Sequence, residues 1–423
     1  MQPMLLAAKG LADLGHPVLV LSDACNAPEA AAHGVPFQPW RNAPSRSSRD
    51  PETDPIKDWL ARTPIETIEA LCDGIMSGPA DRYGADTVEA IDAFEPDVVV
   101  CHELLFGVMA AAEARRIRLA VFAANVWSLP TLPRAAPFGG GLRAPVSDFD
   151  FDFYAGVTRV TRAAYQHGLP ALNAARATLG LPPLAEFFEQ LNAAGRVLLA
   201  TSEAFDFATE MPPSYRYVGP YLEDPTWAAP IAARPTTHLP LVLVSFSTMY
   251  QGQEAVLRRS IEALGALPVR AIVTLGPNLA LADFPSPPNV SVTPSVRHSE
   301  LYPQTAAMIT HAGHASALRP LIAGVPLVCI PLGRDQPDNA VRVTERGAGV
   351  RLLPDASVEE IRAAVQQMLD DPSYAAAARD LGARIAADAA DRSAERELIE
   401  FASSGATHDQ ADLLPRAAAP PHT

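Results

Sequence analysis

Lysine is almost missing from this chain. Lys9 and Lys57 are the only two in 423 residues, and arginine carries the remaining positive charge. No lysine stands in a G-x-x-x-x-G-K context, which excludes a Walker-type phosphate loop, and none lies in the second half to form a Schiff base. Cysteine is scarce as well. Cys25, Cys72, Cys101 and Cys329 are widely separated, so neither a zinc ribbon nor a C-x-x-C redox pair is signalled. Four scattered cysteines without a recognisable signal peptide predict a reducing, cytoplasmic setting. Apolar runs are short: the best, around Asp97 to Cys101 and Leu239 to Val244, fall far below the ~20 residues of a membrane span. There is no basic excess either. Lys plus Arg is 33 and Asp plus Glu is 48, a net charge of -15, which repels a phosphate backbone and predicts no nucleic-acid partner. A G-x-S-x-G elbow, an H-E-x-x-H helix and an EF-hand loop are all lacking. Gly347-Ala-Gly349 lacks the third glycine and the preceding strand of a dinucleotide fingerprint.

What is present reads as globular. Hydrophobic residues make up 48% and charged residues 19%, and at roughly 150 residues per domain the length predicts two or three domains. Met4, Leu5, Ala8, Leu11 and Ala12 share one helix face, and Gly15 closes that helix. Strands are predicted at 17–22, 95–101, 118–123 and 196–201, with helices at 56–77, 85–94 and 107–116. This alternation argues for parallel βαβ units. Residues 128–169 differ, with Gly139-Gly140-Gly141, several prolines and a run of aromatics; they predict a mobile loop leading into a helical region. Prolines crowd again between Met211 and Leu239, the best linker candidate. Alternation then restarts, with strands at 240–247, 269–274, 290–294, 307–310 and 326–330. Helices are predicted at 254–264, 315–323, 337–346, 358–368 and 373–401. The expected architecture is α/β, with two doubly wound units facing a cleft. Residues 1–218 form the first unit, 219–239 the linker, 240–402 the second unit and 403–423 a frayed tail.

The chemistry concentrates in Met308-Ile-Thr-His-Ala-Gly-His-Ala-Ser316. A strand ends, small residues follow and a helix begins, so unpaired N–H groups and a positive dipole end point at whatever binds there. Gly313 lets a ligand approach the backbone, Ser316 offers a hydroxyl, and His311 and His314 add donors without a lysine. That suits a pyrophosphate; the alternative is that Ser316 is an N-cap and the histidines fill the turn. Downstream, Asp335 and Gln336 stand together after a strand end. An acid beside an amide suits paired sugar hydroxyls, or Asp335 simply caps a helix.

The stretch from His311 to Asn339 resembles the donor signature of family 1 glycosyltransferases, nucleotide-sugar enzymes of the GT-B fold. The resemblance runs to bacterial macrolide and natural-product glycosyltransferases. His311, Gly313, Ser316, Pro326, Pro331, Asp335 and Gln336 fall at family positions. Ala312 replaces the first of two usual glycines, a change that looks mild because alanine is nearly as small. Val218-Gly219-Pro220 resembles the family's entry to the linker. Val244-Ser-Phe-Ser-Thr248 resembles its loop facing the diphosphate, and Ser295-Val-Arg-His298 resembles the loop closing over the nucleobase. The resemblance implies that His311, with Ser247 and Ser316, contacts the diphosphate, that Asp335 and Gln336 hold the sugar hydroxyls, and that Thr248, Ala312, Gly313, His314 and Asn339 belong to the same donor site. It places His298 by the base. It implies no cofactor and no metal, only a UDP- or dTDP-hexose as co-substrate, and transfer with inversion to a small apolar acceptor. The aromatics Phe138, Phe149, Phe151, Phe153 and Tyr154 lie where the family shapes its acceptor pocket; ordinary core packing is the alternative.

The N-terminus departs from the family pattern. The expected base, a His or Asp after the first strand, would lie just before Met1, as would that strand. Either translation starts upstream, or the chain is a non-catalytic relative that binds and assists a transferase. A nucleotide-sugar epimerase on the same fold is a third reading. His102 and Glu103 follow a strand end, near where ligands bind in such folds; the resemblance implies an acid close to here that orients the base, a part either could take, and a structural role is the alternative.

Overall fold

The computed structural model describes residues 2–207, 209–230, 238–247 and 250–404. The chain opens with α1 (Gln2–Asp13), β1 (Val20–Ser22), α2 (Ala27–Ala32), β2 (Phe37–Pro39), α3 (Pro64–Leu71) and α4 (Ala80–Phe94). There follow β3 (Val98–His102), α5 (Phe106–Arg115), β4 (Arg118–Ala123), α6 (Asp148–Tyr165), α7 (Leu169–Thr178), β5 (Arg196–Leu199) and β6 (Tyr215–Tyr217). All pairings are parallel: β3-β4-β5-β6 form one sheet, and β1-β2 pair separately. Its apolar core gathers Phe106, Phe187, Phe188 and Tyr165 in stacked and edge-on contacts.

The second unit contains β7 (Leu241–Ser245), α8 (Glu254–Gly265), β8 (Arg270–Thr274), β9 (Val290–Thr293), β10 (Thr305–Thr310), α9 (His314–Ile322) and β11 (Leu327–Cys329). It continues through α10 (Gln336–Glu345), β12 (Gly349–Arg351), α11 (Val358–Asp370) and α12 (Pro372–Ala390) to α13 (Ala394–Ser403). The sheet runs β12-β11-β10-β7-β8-β9. The chain therefore winds outward one way from β7 to β9, then crosses back to β10 and winds the other way. This is the doubly wound order, and its reversal between β7 and β10 opens a crevice at the strands' carboxyl ends. The central strand β7 is buried at every position, as a parallel strand covered on both faces must be.

Several elements differ from the sequence reading. The helix expected over 56–77 is broken. Thr63 sits extended before Pro64 and caps α3 by accepting from the Glu66 N–H, and residues 72–76 form a wider turn. The short edge strands β6 and β12 carry too little pattern to be seen. Residues 128–169 include a long helix, α6, started by a reciprocal capping box between Ser147 and Asp150. The helix expected over 373–401 stops at Ala390, and α13 belongs to the first unit rather than the second. It packs with α1, β4 and β5 in one cluster that holds Leu398, Phe401, Ala120, Phe122 and Leu198. The assignment of 240–402 to a single unit is corrected accordingly. Residues 405–423, most of the expected tail, lie outside the described residues. No helix among the described residues is long and apolar enough to cross a membrane.

Phe401 fills the space over Gly195, where a Cβ would stand 2.7 Å from its ring, and Arg196 lies over its face at 5.2 Å. Phe401→Ala should cost about 3 kcal/mol, read as a lower urea midpoint, with the loss located in the first unit by hydrogen exchange of β4 and β5.

Candidate active site

The turn between β10 and α9 lies at the sheet's switch point. His311 is 6% exposed, and burial pushes its imidazole down to about 4, so it is a neutral hydrogen-bonding group at pH 7. Its Nδ1 is buried without a hydrogen-bond partner. Ala312 adopts φ 64°. The family's glycine is thus replaced at a left-handed position, where the cost to alanine is backbone strain of roughly 1–2 kcal/mol and not size. Gly313 is needed for the opposite reason. Its φ is an ordinary -57°, but a Cβ there would lie 2.5 Å from His311 Nε2. Gly313 is also the N-cap of α9 and brings no capping side chain of its own, so the helix start is not covered by its cap residue.

This strained turn is held from α10. The Asp335 carboxylate accepts the His314 N–H at 3.1 Å and Asn339 Nδ2 at 2.7 Å. Asn339 Nδ2 also donates to the Ala312 carbonyl at 3.0 Å. Gln336 is occupied too: its Oε1 accepts the N–H groups of Leu332 and Gly333, and its Nε2 donates to Gln251 Oε1 at 2.7 Å. Asp335 and Gln336 therefore organise the loop whose edge a sugar would meet. The His314 side chain turns toward the first unit. Its Nε2 meets Thr201 Oγ1 of the first unit at 2.7 Å, and its ring stands edge-on to Phe205.

A cleft runs from this turn toward the β9 edge of the sheet. Ser247, His311 and Ser316 line one end, Thr274 and Gly276 the middle, and Pro294, Ser295, Val296 and Trp227 the other. His298 lies in its wall with Nε2 3.2 Å from Thr274 Oγ1, and burial pushes its ring down to about 4. Thr248 lies outside the described residues.

On the first unit, His102 ends β3. Its Nδ1 is 3.3 Å from Glu103 Oε2, and Ser128 Oγ donates to Glu103 Oε1 at 3.3 Å. Glu103 is 2% exposed, with Oε2 lacking a hydrogen bond. The aromatic set divides. Phe149 and Phe153 stack on the exposed face of α6 with centroids 6.4 Å apart. Phe151 lies under the Arg134 guanidinium. Tyr154 is buried, donating to the Arg143 carbonyl at 2.9 Å, and Phe138 packs against the core of the second unit.

Three contacts across the cleft were not foreseen. Arg334 forms a two-point pair with Asp58, at 2.6 and 2.7 Å. Trp59 meets Tyr250 edge-on. Asp338 accepts the N–H groups of Gly139 at 2.6 Å and Gly141 at 3.2 Å, so the glycine run docks on α10. The run of three glycines marked a tight backbone approach, but nothing local named its acceptor, 197 residues away in sequence.

Two Rossmann-like units facing a cleft at their strands' carboxyl ends define the GT-B class of glycosyltransferase fold. The comparisons agree. The glycosyltransferase of kitacinnamycin superposes with a TM-score of 0.72 at 20% identity, covering 95% of each chain. CalG4, the calicheamicin glycosyltransferase, gives 0.71 at 19%, covering 96% of each. Residues 258–401 match the family described as erythromycin biosynthesis protein CIII-like, C-terminal domain. The 4'-demethylrebeccamycin synthase of Lentzea aerocolonigenes is 27% identical over 385 residues, 88% of this chain and 89% of that one. The chain is thus similar, over most of its length, to natural-product glycosyltransferases, and it shares their fold.

Gly313→Ala should displace the His311 ring and weaken nucleotide binding by about tenfold or more, the loss of one good hydrogen bond to a charged group, measured by calorimetry. Asp338 gives a pH signature. Burial pushes its carboxyl up to about 6 against the two N–H donors. A carboxyl raised in the folded state contributes stability below its unfolded value, roughly 4, and loses it as pH rises through about 6. Asp338→Asn should therefore flatten the rise in melting temperature that the wild type shows between about pH 7 and about pH 4.

Proposed function

We propose that this protein transfers a hexose from a UDP- or dTDP-sugar to a hydroxyl of a small, largely apolar acceptor, with inversion, in the cytoplasm and without a metal or cofactor. The observation that carries the reading is the β10–α9 turn. A neutral buried histidine, a small-residue approach and the start of a helix converge at the switch point of a parallel sheet, an arrangement suited to a leaving diphosphate. The layout supports the rest. The loop after β11 carries Asp335 and Gln336 on one side of that turn, where the sugar would sit. The cleft toward β9 lies on the other, where the nucleoside would extend. The acceptor oxygen attacks the anomeric carbon opposite the diphosphate, the C1–O bond breaks, and the charge that develops on the diphosphate is met by the start of α9. The acceptor proton passes to a base on the first unit, with Glu103 and His102 as the residues that would orient it. The natural products named for the similar solved structures, kitacinnamycin and calicheamicin, support a small-molecule acceptor presented near α6, where Phe149 and Phe153 are exposed.

Thermal-shift titration against UDP, dTDP, GDP and ADP tests the sugar-donor half. A ligand at 100 times its dissociation constant adds about 2.7 kcal/mol, so a rise with UDP or dTDP is expected. His311→Ala should abolish that rise while melting cooperatively. A wild type that no nucleotide stabilises, or a His311→Ala protein with unchanged affinity, would refute the site.

A further inference from the structure

A second cavity opens between the two units, apart from the cleft that starts at the β10–α9 turn. It measures about 520 Å³ and shares no lining residue with that cleft. The first unit supplies an apolar wall that includes Met211, Tyr215 and Tyr217. Three arginines stand around it. Arg216 belongs to β6, Arg346 follows the last residue of α10, and Arg384 lies on α12. The opposite end of α10 carries Asp335 and Gln336. Its 10 residues, at 1.5 Å each, separate the two ends by roughly 15 Å.

The charges in this lining do not cancel. Arg346 forms no ion pair among the described residues. Its guanidinium donates instead to three carbonyls, those of Ala204 at 3.2 Å, Arg342 at 3.1 Å and Asp206 at 2.6 Å. Burial, with Arg342 beside it, pushes the group down to about 10, so it stays a cation at pH 7. Three of its five N–H donors are used and fix its orientation, and two are left over. Arg384 meets Asp380 at 3.3 Å, where both side chains are more than half exposed, a pairing that holds the arginine weakly. The acids present are spent or turned outward. The Asp206 carboxylate accepts Arg342 on one oxygen and the Tyr217 hydroxyl on the other, and Glu203 is exposed.

We infer that this cavity is a second ligand site, separate from the donor cleft, and that it takes a small carboxylate with an aromatic body. The two remaining donors of Arg346 suit a two-point pair with a carboxylate, and Arg384 adds a second positive charge from α12. A bare inorganic anion would leave most of the space empty. Pockets of about 300 to 1,000 Å³ hold organic ligands, with a few polar groups fixing one end and apolar walls covering the rest. Here the arginines of α10 and α12 fix the anion, and Met211 and Tyr217 cover the ring. The occupant therefore touches both units at once, its charge on the second and its body on the first. The inference is independent of the sugar-transfer reading.

The test uses the full chain and calorimetry. The probe is 1-naphthoate, with 1-naphthamide as its neutral counterpart and inorganic phosphate as an anion without a body. The wild type should bind 1-naphthoate at one site, and the other two about tenfold more weakly or worse. Arg384→Gln, on an exposed stretch of α12, should weaken 1-naphthoate by about 10- to 100-fold, the loss of a hydrogen bond between charged groups. Arg346→Gln should do the same. His311→Ala, in the β10–α9 turn, should bind 1-naphthoate as the wild type does. The assignment is overturned if 1-naphthoate binds more weakly than about 1 mM, if 1-naphthamide binds equally well, or if Arg384→Gln leaves the affinity unchanged. Phosphate that binds as tightly as 1-naphthoate overturns the aromatic body. Loss of 1-naphthoate in His311→Ala would put the anion at the donor turn and overturn the second site. Should Arg346→Gln not melt cooperatively, Arg384→Gln decides alone.

Discussion

Everything at the proposed donor site depends on one carboxylate. Asp335 bonds the first N–H of α9 and the side chain of Asn339, and Asn339 in turn holds the Ala312 carbonyl. Together with Thr310 Oγ1, which accepts the Ala312 N–H at 3.2 Å, that bridge holds an alanine in a left-handed conformation next to a buried imidazole. Partial burial raises the Asp335 carboxyl, and the two donated hydrogen bonds oppose that shift and favour the ionised form. The start of one helix is thus positioned by the start of the next, and the small residues between them are left clear for a ligand.

The near-absence of lysine takes on meaning beside this geometry. His298, His311 and His314 are all pushed down to about 4 by burial, so the turn presents directed N–H groups instead of mobile cations. Preorganised dipoles of this kind act on charge that develops during reaction and need no rearrangement when it does. The arginines are used elsewhere. Arg334 closes on Asp58, and Arg342 forms a buried pair with Asp206, at 3.0 and 2.7 Å. Both join the two units, so the positive charge that a phosphate site might have used serves to position the domains.

The inner strands of both sheets and the β10–α9 turn were legible because they are local. Apolar runs of strand length, a Gly-rich turn and a crowd of prolines each carry their own signal. Ala312 was misjudged because size can be read from a letter and φ cannot. Gln336 and His314 stand at the right places in the chain, but their side chains are engaged by Gln251 and Thr201, partners whose approach depends on the tertiary fold. The aromatic run from Phe149 to Tyr154 carried strong composition and little direction. On a helix, its members point around the axis, so one is buried, two are stacked in solvent and one lies against an arginine. The return of α13 had no signal beyond an amphipathic face, and a sequence does not say which unit that face will cover.

That return has a mechanical consequence. The polypeptide passes between the units twice, once on leaving β6 and once on entering α13, and the two passages are joined where the Ser393 N–H donates to the Val218 carbonyl at 3.1 Å. Beside them, Gly219 adopts φ 77°, with the Asp388 carbonyl only 2.4 Å from where a side chain would begin. Two tethers knotted at one place act as a pivot and not as a pair of spaced hinges. Relative movement of the halves then reduces to swivelling about that knot. A swivel of this kind has to break the Asp58–Arg334, Asp338–Gly139 and Arg342–Asp206 contacts, which all cross between the units.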